Sequence, residues 1–463
     1  AATTGSSVMA SSRSSRPADA PSPVERALAA WVASLDARRT PVAFALSGGR
    51  DSITLLDAGL AALRAAGREA IAFHIHHGLQ AEADAWSAFC ARICEERGLA
   101  FAQRRVSVLH SRRFGIECAA RDARYAALRD LATHHGVRTI ALAHHQDDQA
   151  ETLLLQLGRG AGPSGLAGMP AEQTDAEGLV WSRPLLGVSR AAVVAYAKAR
   201  GLPWIDDPSN EDRALRRNAV RAHVVPAFAA ALPGYPATLA RAAAHQADAA
   251  SLLDALGAMD ARDAGYGEDD GSVAAAPLAT LEAPRARNLL RWFLRARGLR
   301  PPSAARLDAM LRQLAFARVD ATIALEHAGA VVGRHRGRVF VHRSTPPDFR
   351  ADWQGEASIA LPHGELRFEA CEGAGIDAAR IGAGLAIRLR QGGERLQLAP
   401  GQARRALASL LRESALPTWE RDALPLVVAG DTLVAVPGLG VDIAWRAPPG
   451  RPGRVPLWYA RER

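Results

Sequence analysis

Lysine is almost missing from this chain. It has 463 residues and 57 Lys plus Arg, of which Lys198 is the only lysine. Set against 48 acidic residues, the formal net charge is +9. Such an excess suits a polyanionic partner, nucleic acid above all. Ala, Gly and Pro are abundant too, so a compositional bias toward arginine is the competing account. Cysteine is also scarce: Cys90, Cys94, Cys118 and Cys371 are the full set. Four thiols do not make a disulfide scaffold at this length, and no Cys-x-x-Cys pair occurs. Buried, reduced thiols are expected. No apolar run approaches the roughly 20 residues that cross a bilayer. The first 22 residues are rich in Ala, Ser, Thr and Pro and lack the apolar stretch of a signal peptide. They read as a disordered tail, with Met9 as an alternative start, and the expected location is cytoplasmic.

The length allows two or three domains. From Pro41 onward the pattern is strand, loop, helix, repeated. Strands are expected at 42–46, 70–75, 101–108, 139–143 and 180–185, and helices at 52–66, 82–97, 117–134, 147–157, 189–200 and 214–231. Such alternation implies βαβ units, a mainly parallel sheet and loops gathered at one sheet edge. The expected fold is therefore α/β, with a parallel-sheet nucleotide-binding domain over 23–236. Residues 158–169 are rich in glycine and read as a mobile loop able to close over a substrate. A helix-rich unit follows over 237–345, with helices at 238–263, 283–297 and 303–316 and a strand pair turning at Arg336-Gly337-Arg338. Linker and strands fill 346–384. A small α+β unit, with a helix at 402–414, occupies 385–463.

Ser47-Gly48-Gly49-Arg50-Asp51-Ser52 lies between a strand and a helix. Glycines let the backbone approach an anion, and the free N–H groups of the helix start point at it. Neither the Gly-Lys-Ser/Thr ending of a Walker loop nor Gly-x-Gly-x-x-Gly is present. The segment resembles the PP-loop of the ATP pyrophosphatases, which implies cleavage of ATP between the α- and β-phosphates. The resemblance places Ser47 to Ser52 on the nucleotide and gives Asp51 a part in holding Mg²⁺. His74-Ile75-His76-His77 ends the second strand on the same edge, so His74 belongs to the nucleotide site; a metal site is the minor alternative to a polar rim. His144, Asp148 and Glu151 are spaced i, i+4, i+7 and are expected on one helix face. Acidic groups there suit Mg²⁺, with Asp148 as its ligand, or a cationic substrate. Arg121 and Arg124 stand on a helix near the same edge.

Together these segments resemble the bacterial tRNA(Ile)-lysidine synthetases. The matching runs are the PP-loop, His-His-Gly-Leu, Ala-Arg-x-x-Arg-Tyr, Ala-His-His-x-Asp-Asp-Gln-Ala-Glu-Thr, Gly-x-Ser-Gly-Leu-x-Gly-Met, Arg-Pro-Leu-Leu (183–186), Asp-x-Ser-Asn and Arg-Asn. They are dense over 41–226, thin out, and return over 388–442 with Gly392-Gly393-Glu394-Arg395 and Pro417-Thr418-Trp419-Glu420-Arg421. Arg50, charged at the variable loop position, and Arg404-Arg405, where lysines are expected, depart from the pattern. The resemblance implies that ATP adenylates C2 of the wobble cytidine of a CAU-anticodon tRNA(Ile) and that free L-lysine displaces AMP, so that AUA is read in place of AUG. It implies catalytic parts for Asp51, Arg121, His144, Asp148 and Glu151, with His144 or a carboxylate as base. It also implies tRNA contacts in the two later units, for which Arg217, Arg287, Arg291, Arg295, Arg334, Arg336, Arg404 and Arg405 are candidates. A homodimer is one alternative for the assembly. The rival readings are a PP-loop tRNA thiolase, a small-molecule synthetase and a tRNA-binding protein with an inactive nucleotide fold.

Overall fold

The computed structural model describes residues 20–36, 40–76, 78, 82–106, 116–207, 216–267, 271–318, 323–342, 348–382, 384–414 and 416–460, with backbone alone at 116–120. Most of the expected tail (1–19), His77, Leu79, Cys118's side chain, the Ser-Asn of Asp-x-Ser-Asn and the last residues of the strand expected to reach 108 lie outside the described set. The chain divides into two compact units, 1–251 and 252–463.

The first unit opens with a helix absent from the sequence reading, α1 (Pro23–Ser34). Its signal was legible: Ser22 and Glu25 form a reciprocal capping box around Pro23 at the first helical position. Then come β1 (Val42–Ala45), α2 (Arg50–Ala65), β2 (Ala70–His76), α3 (Ala83–Glu96), β3 (Ala100–Arg105), α4 (Ile116–His134), β4 (Thr139–Ala141), α5 (Gln146–Leu157) and α6 (Pro163–Leu166). They are followed by β5 (Glu172–Thr174), β6 (Val180–Ser182), α7 (Arg190–Ala199), α8 (Arg216–Ala219) and α9 (Val225–Ala231). The sheet order is β3-β2-β1-β4-β6-β5, and only β5 runs antiparallel. The chain leaves β1 toward β2 and β3, then returns to β4 on the other side. That reversal opens a crevice beyond the C-terminal ends of β1 and β4. One apolar core packs α1, α2, α3 and α7 on one sheet face, and a second packs α4 on the other. In α2, Gly59 sits so close to β1 that an added Cβ would lie 2.6 Å from the Phe44 ring.

Two expectations change here. The glycine-rich loop is not free throughout: 163–166 forms α6, and Gln149 binds both the N–H (2.7 Å) and the carbonyl (2.9 Å) of Met169. The helix expected over 214–231 is broken by a π turn, Val220–Val224. Pro226, which has no N–H to donate, follows directly.

The helix α10 (Tyr235–Asp263) begins at the residues expected to end a domain, with Pro236 tolerated in its first turn. In the second unit β7 (Val273–Ala274), α11 (Ala276–Thr280), α12 (Ala283–Ala296) and α13 (Ala304–Phe316) precede β8 (Ile323–His327), β9 (Ala330–His335) and β10 (Arg338–His342). The expected strand pair is thus three strands, joined by β7 in the order β7-β10-β9-β8. The missed turn is Ala328-Gly329, at φ 51° and 81°, matching Arg336-Gly337 at 46° and 76°; both are tight hairpin turns with two left-handed residues. Short strands then form three sheets over 350–460, the two larger of which share a core around Trp353, Phe368, Ile387 and Val427. The helix expected over 402–414 starts only at Leu407, because Arg405–Ala406 is a strand paired with Arg395–Leu396. A second short helix spans Thr418–Ala423. Among the described residues no helix is long and apolar enough to cross a membrane.

Candidate active site

The loop 47–52 is held by its own serines. Ser52 Oγ donates to the Gly49 carbonyl (2.8 Å) and lies 3.1 Å from Ser47 Oγ, and the Gly49 N–H donates to Ser47 Oγ. Gly48 stands at φ +85°, where an added Cβ would meet Ile205 Cδ1 at 2.9 Å and Cys90 Sγ at 3.2 Å. Ile205 straps the loop further by donating its N–H to the Gly48 carbonyl (2.9 Å). Gly49 caps α2 without a side-chain cap bond, which among the described residues leaves the first-turn N–H groups open. Arg50 turns back on its neighbour, with Nε 3.0 Å from Asp51 Oδ1. Burial raises the Asp51 carboxyl, but His145 and Arg50 outweigh it and hold it below the usual range.

Beside the loop, α5 begins differently from the expectation. His144 precedes the helix, so it does not share a face with Asp148 and Glu151. The N-cap is His145: its Nδ1 accepts from the Asp148 N–H (3.3 Å), and its own N–H donates to Asp148 Oδ2 (3.0 Å). Its Nε2 faces Asp51 Oδ2 at 3.6 Å. Glu151 is buried and not an open carboxylate. Arg221 grips it through Nε (2.7 Å) and Nη2 (2.8 Å), and Arg217 through Nε (2.9 Å) while reaching Asp148 Oδ1 (3.3 Å). Burial raises the Glu151 carboxyl, and the two guanidiniums more than reverse it. Asp148 therefore has both oxygens engaged within the cluster and a side chain only 14% exposed, against 33% for Asp51. Arg217, expected on tRNA, instead belongs to this cluster.

His144 lies off the helix face on which it was expected. Burial, then Arg183, Arg217, Arg124 and Arg121, push its imidazole down to about 3. In the free protein it is neutral and a weak base. Arg183 is itself buried and bonds the Pro170 carbonyl (2.8 Å). Arg121 and Arg124 lie over the Tyr125 ring. His74 is buried with Nδ1 2.8 Å from the Leu46 carbonyl, so it braces the strand end beneath the loop. His76 pairs with Asp84 (3.1 Å), and among the described residues no set of three or more His, Cys, Asp or Glu side chains converges to hold a metal. His145, Arg183 and Arg221 were not singled out from sequence as site residues. Only the cap position of His145 had a local signal, in the acidic residue three places on.

Known proteins bear on this geometry. The family model for the PP-loop domain matches residues 21–228, that for the TilS substrate binding domain 274–340, and that for the TilS substrate C-terminal domain 385–458. A tRNA(Ile)-lysidine synthase of Ralstonia nicotianae is 44% identical over 419 residues, covering 87% of this chain and 89% of that protein. The chain belongs to the tRNA(Ile)-lysidine synthase family. A second member, from an Azoarcus species, is 40% identical over 418 residues, with 89% and 90% covered. A solved tRNA thiolase, NcsA of Methanococcus maripaludis with its [4Fe-4S] cluster, shares 17% identity over 48% of this chain and 77% of that one at a TM-score of 0.42, too slight a likeness to bear on function. Cys90 and Cys94 are fully buried in the apolar core, and burial pushes their thiols up to about 12 and about 11. Neither is a reactive thiolate.

In this lysidine synthase family member, most arginines expected on tRNA have partners inside the second unit. Arg287 pairs with Asp308 (2.6 Å), Arg295 with Asp254, Arg404 with Asp442 (2.9 Å) and Arg405 with Glu413. Arg334 donates to the Leu314 and Ala317 carbonyls at the end of α13, and Arg336 to the Ser414 carbonyl. An even spacing of arginines along a helix thus reflects pairing within the domain as much as a phosphate track.

Proposed function

We propose that the chain makes lysidine. The C2 oxygen of the wobble cytidine of a CAU-anticodon tRNA(Ile) attacks the α-phosphate of ATP, and pyrophosphate leaves. The ε-amine of free lysine then attacks C2, the C2–O bond breaks, and AMP leaves with its oxygen. The observation that carries this reading is the likeness to lysidine synthases along nearly the whole chain, joined to an open helix start at 47–52 beside a mixed-charge cluster.

Each group has a physical task in that scheme. The α2 N–H groups and the loop backbone receive the pyrophosphate end of ATP. Mg²⁺ takes one or two carboxylates plus phosphate oxygens, and Asp51 fits as its protein donor; the ion would offset charge on the phosphates. Lysine is a zwitterion with an extra ammonium. Arg217 and Arg221 suit its carboxylate, and Asp148, the more exposed of the two acids they hold, suits an ammonium. The ε-ammonium must lose a proton before attack. His144 is too weak a base while four guanidiniums surround it, but an anionic phosphate among Arg121, Arg124, Arg183 and Arg217 would offset them and restore its basicity. The cationic surface of the second unit, the half-buried Arg291 included, is the proposed tRNA contact.

Incubation with ATP, labelled lysine and CAU transcripts of tRNA(Ile) and tRNA(Met), followed by nucleoside analysis, tests the proposal. Lysine should enter only the Ile transcript, with one AMP and one pyrophosphate formed per lysine. Sulfur incorporation, or AMP release without lysine transfer, would sink it.

A further inference from the structure

We propose that His145 is a positioning residue: it holds the Asp51 carboxylate against the first turn of α5, so that the nucleotide loop and the Asp148–Glu151 cluster keep one separation. The proposal rests on the function above only in taking Asp51 to face the nucleotide.

The residue type is the first argument. N-caps are normally Ser, Thr, Asp or Asn, whose short side chains satisfy one first-turn N–H. Histidine is an unusual choice, and each of the usual residues would serve Asp148 N–H as well. What they lack is a second polar atom far enough out to reach the start of a neighbouring helix. In His145 the cap bond needs a bare Nδ1, which puts the ring proton on Nε2, the atom that faces Asp51 Oδ2 at 3.6 Å. The ring is 3% exposed and accepts the cap bond through Nδ1, so it cannot swing without losing that bond.

Asp51 supplies the second argument. Arg50 holds Oδ1 from one side and His145 faces Oδ2 from the other, yet the side chain remains 33% exposed. Its open face is therefore fixed in direction but free to meet a ligand. The bridge also spans the right elements: β1 and β4 pair in parallel, so α2 and α5 start side by side across the crevice. A carboxylate at the start of α2 without this bridge has several rotamers, and a misplacement of about 1 Å at a reacting centre costs about 100-fold. Hydrogen-bonding partners behind a metal's carboxylate typically govern affinity or rate by about 10–100-fold.

His145→Asn keeps an oxygen able to cap α5 but is too short to reach Asp51; His145→Ala loses both contacts. Binding of a fluorescent ATP analogue is titrated with Mg²⁺ in the absence of tRNA and lysine, and melting is followed in parallel. We expect His145→Asn to melt with the wild type while its half-saturating Mg²⁺ concentration rises about 10-fold or more. In turnover its kcat should fall by a similar factor, with the KM for lysine changed less than about 3-fold. His145→Ala should show the same Mg²⁺ shift with a lower melting temperature. Wild-type Mg²⁺ dependence in His145→Asn would mean that the imidazole is only a cap, and the inference fails. A wild type that binds the analogue yet transfers no lysine would overturn the proposed function and leave this inference standing. A wild type that binds no Mg²⁺-nucleotide would overturn both.

Discussion

At the scale of single residues, the site depends on side chains and backbone held in conformations with little slack. Gly48 is left-handed and has Ile205 and Cys90 against it. Gly48→Ala should cost about 1–3 kcal/mol through strain and contact and should abolish nucleotide binding, read by melting and ATP-analogue titration together. Glu151 balances two guanidiniums that are each about 70% buried (side-chain exposures 28% and 29%). Glu151→Gln leaves the two guanidiniums with Asp148 Oδ1, 3.3 and 3.9 Å away, as their nearest counter-charge, so stability in urea should drop by about 1–3 kcal/mol; a loss below 0.5 kcal/mol, the scale of a surface pair, would show the cluster to be dispensable. His144 gives a pH dependence of definite sign. Its pKa is about 3 when folded and about 6.5 when unfolded, so the unfolded chain takes up the proton first. The stability it confers is complete above pH 6.5 and is lost as pH falls toward 3. Between pH 7 and 5 the loss should be about 1–2 kcal/mol, and His144→Asn should flatten that slope in denaturation at the two pH values.

Elements set which of these residues can meet. The helix over 146–157 was legible as a helix, but its start was read one residue late and His144, which precedes the cap, was taken into its periodicity. A helix turns about 100° per residue only inside its cap, so the spacing did not carry His144 onto the face of Asp148 and Glu151. The arginine clamp on Glu151 comes from 66 and 70 residues further along, beyond any local pattern. By contrast α1 was fully marked in sequence by Ser22, Pro23 and Glu25. Ser22→Ala should cost about 1 kcal/mol and lower the melting temperature without altering nucleotide affinity; unchanged melting would show that α1 is held by Leu28 and Trp31 packing alone.

On the scale of the whole molecule, Trp419 is the aromatic anchor between the two family-matched regions of the second unit, beside the Arg336–Ser414 bond. Trp419, in the short helix after 417, stacks on His342 (4.2 Å, 6° between planes) and packs on Phe340 (5.3 Å) of β10. Gly333 leaves room for it: a Cβ there would lie 3.2 Å from the indole. The regions matching the substrate binding and C-terminal families are therefore docked within one compact unit. Trp419→Ala should cost about 2 kcal/mol, less than for a fully buried ring, and should raise the KM for tRNA several-fold while leaving ATP binding intact. An unchanged KM would show that the two regions bind tRNA without fixed docking.

Sequence alone determined the architecture of the first unit and its nucleotide loop, because alternation, glycines and helix starts are local consequences of backbone geometry. It also carried the family likeness, which resides in short contiguous runs. Tertiary structure alone decided the electrostatics. Whether a carboxylate is open or clamped, and whether an imidazole is a base or a brace, depends on charges brought from remote positions into a partly dehydrated space. For that reason Arg217 moved from the proposed tRNA surface into the site, His144 changed from an active base to a neutral histidine awaiting an anion, and His145, unremarked in the chain, became the link between the loop and the helix beside it.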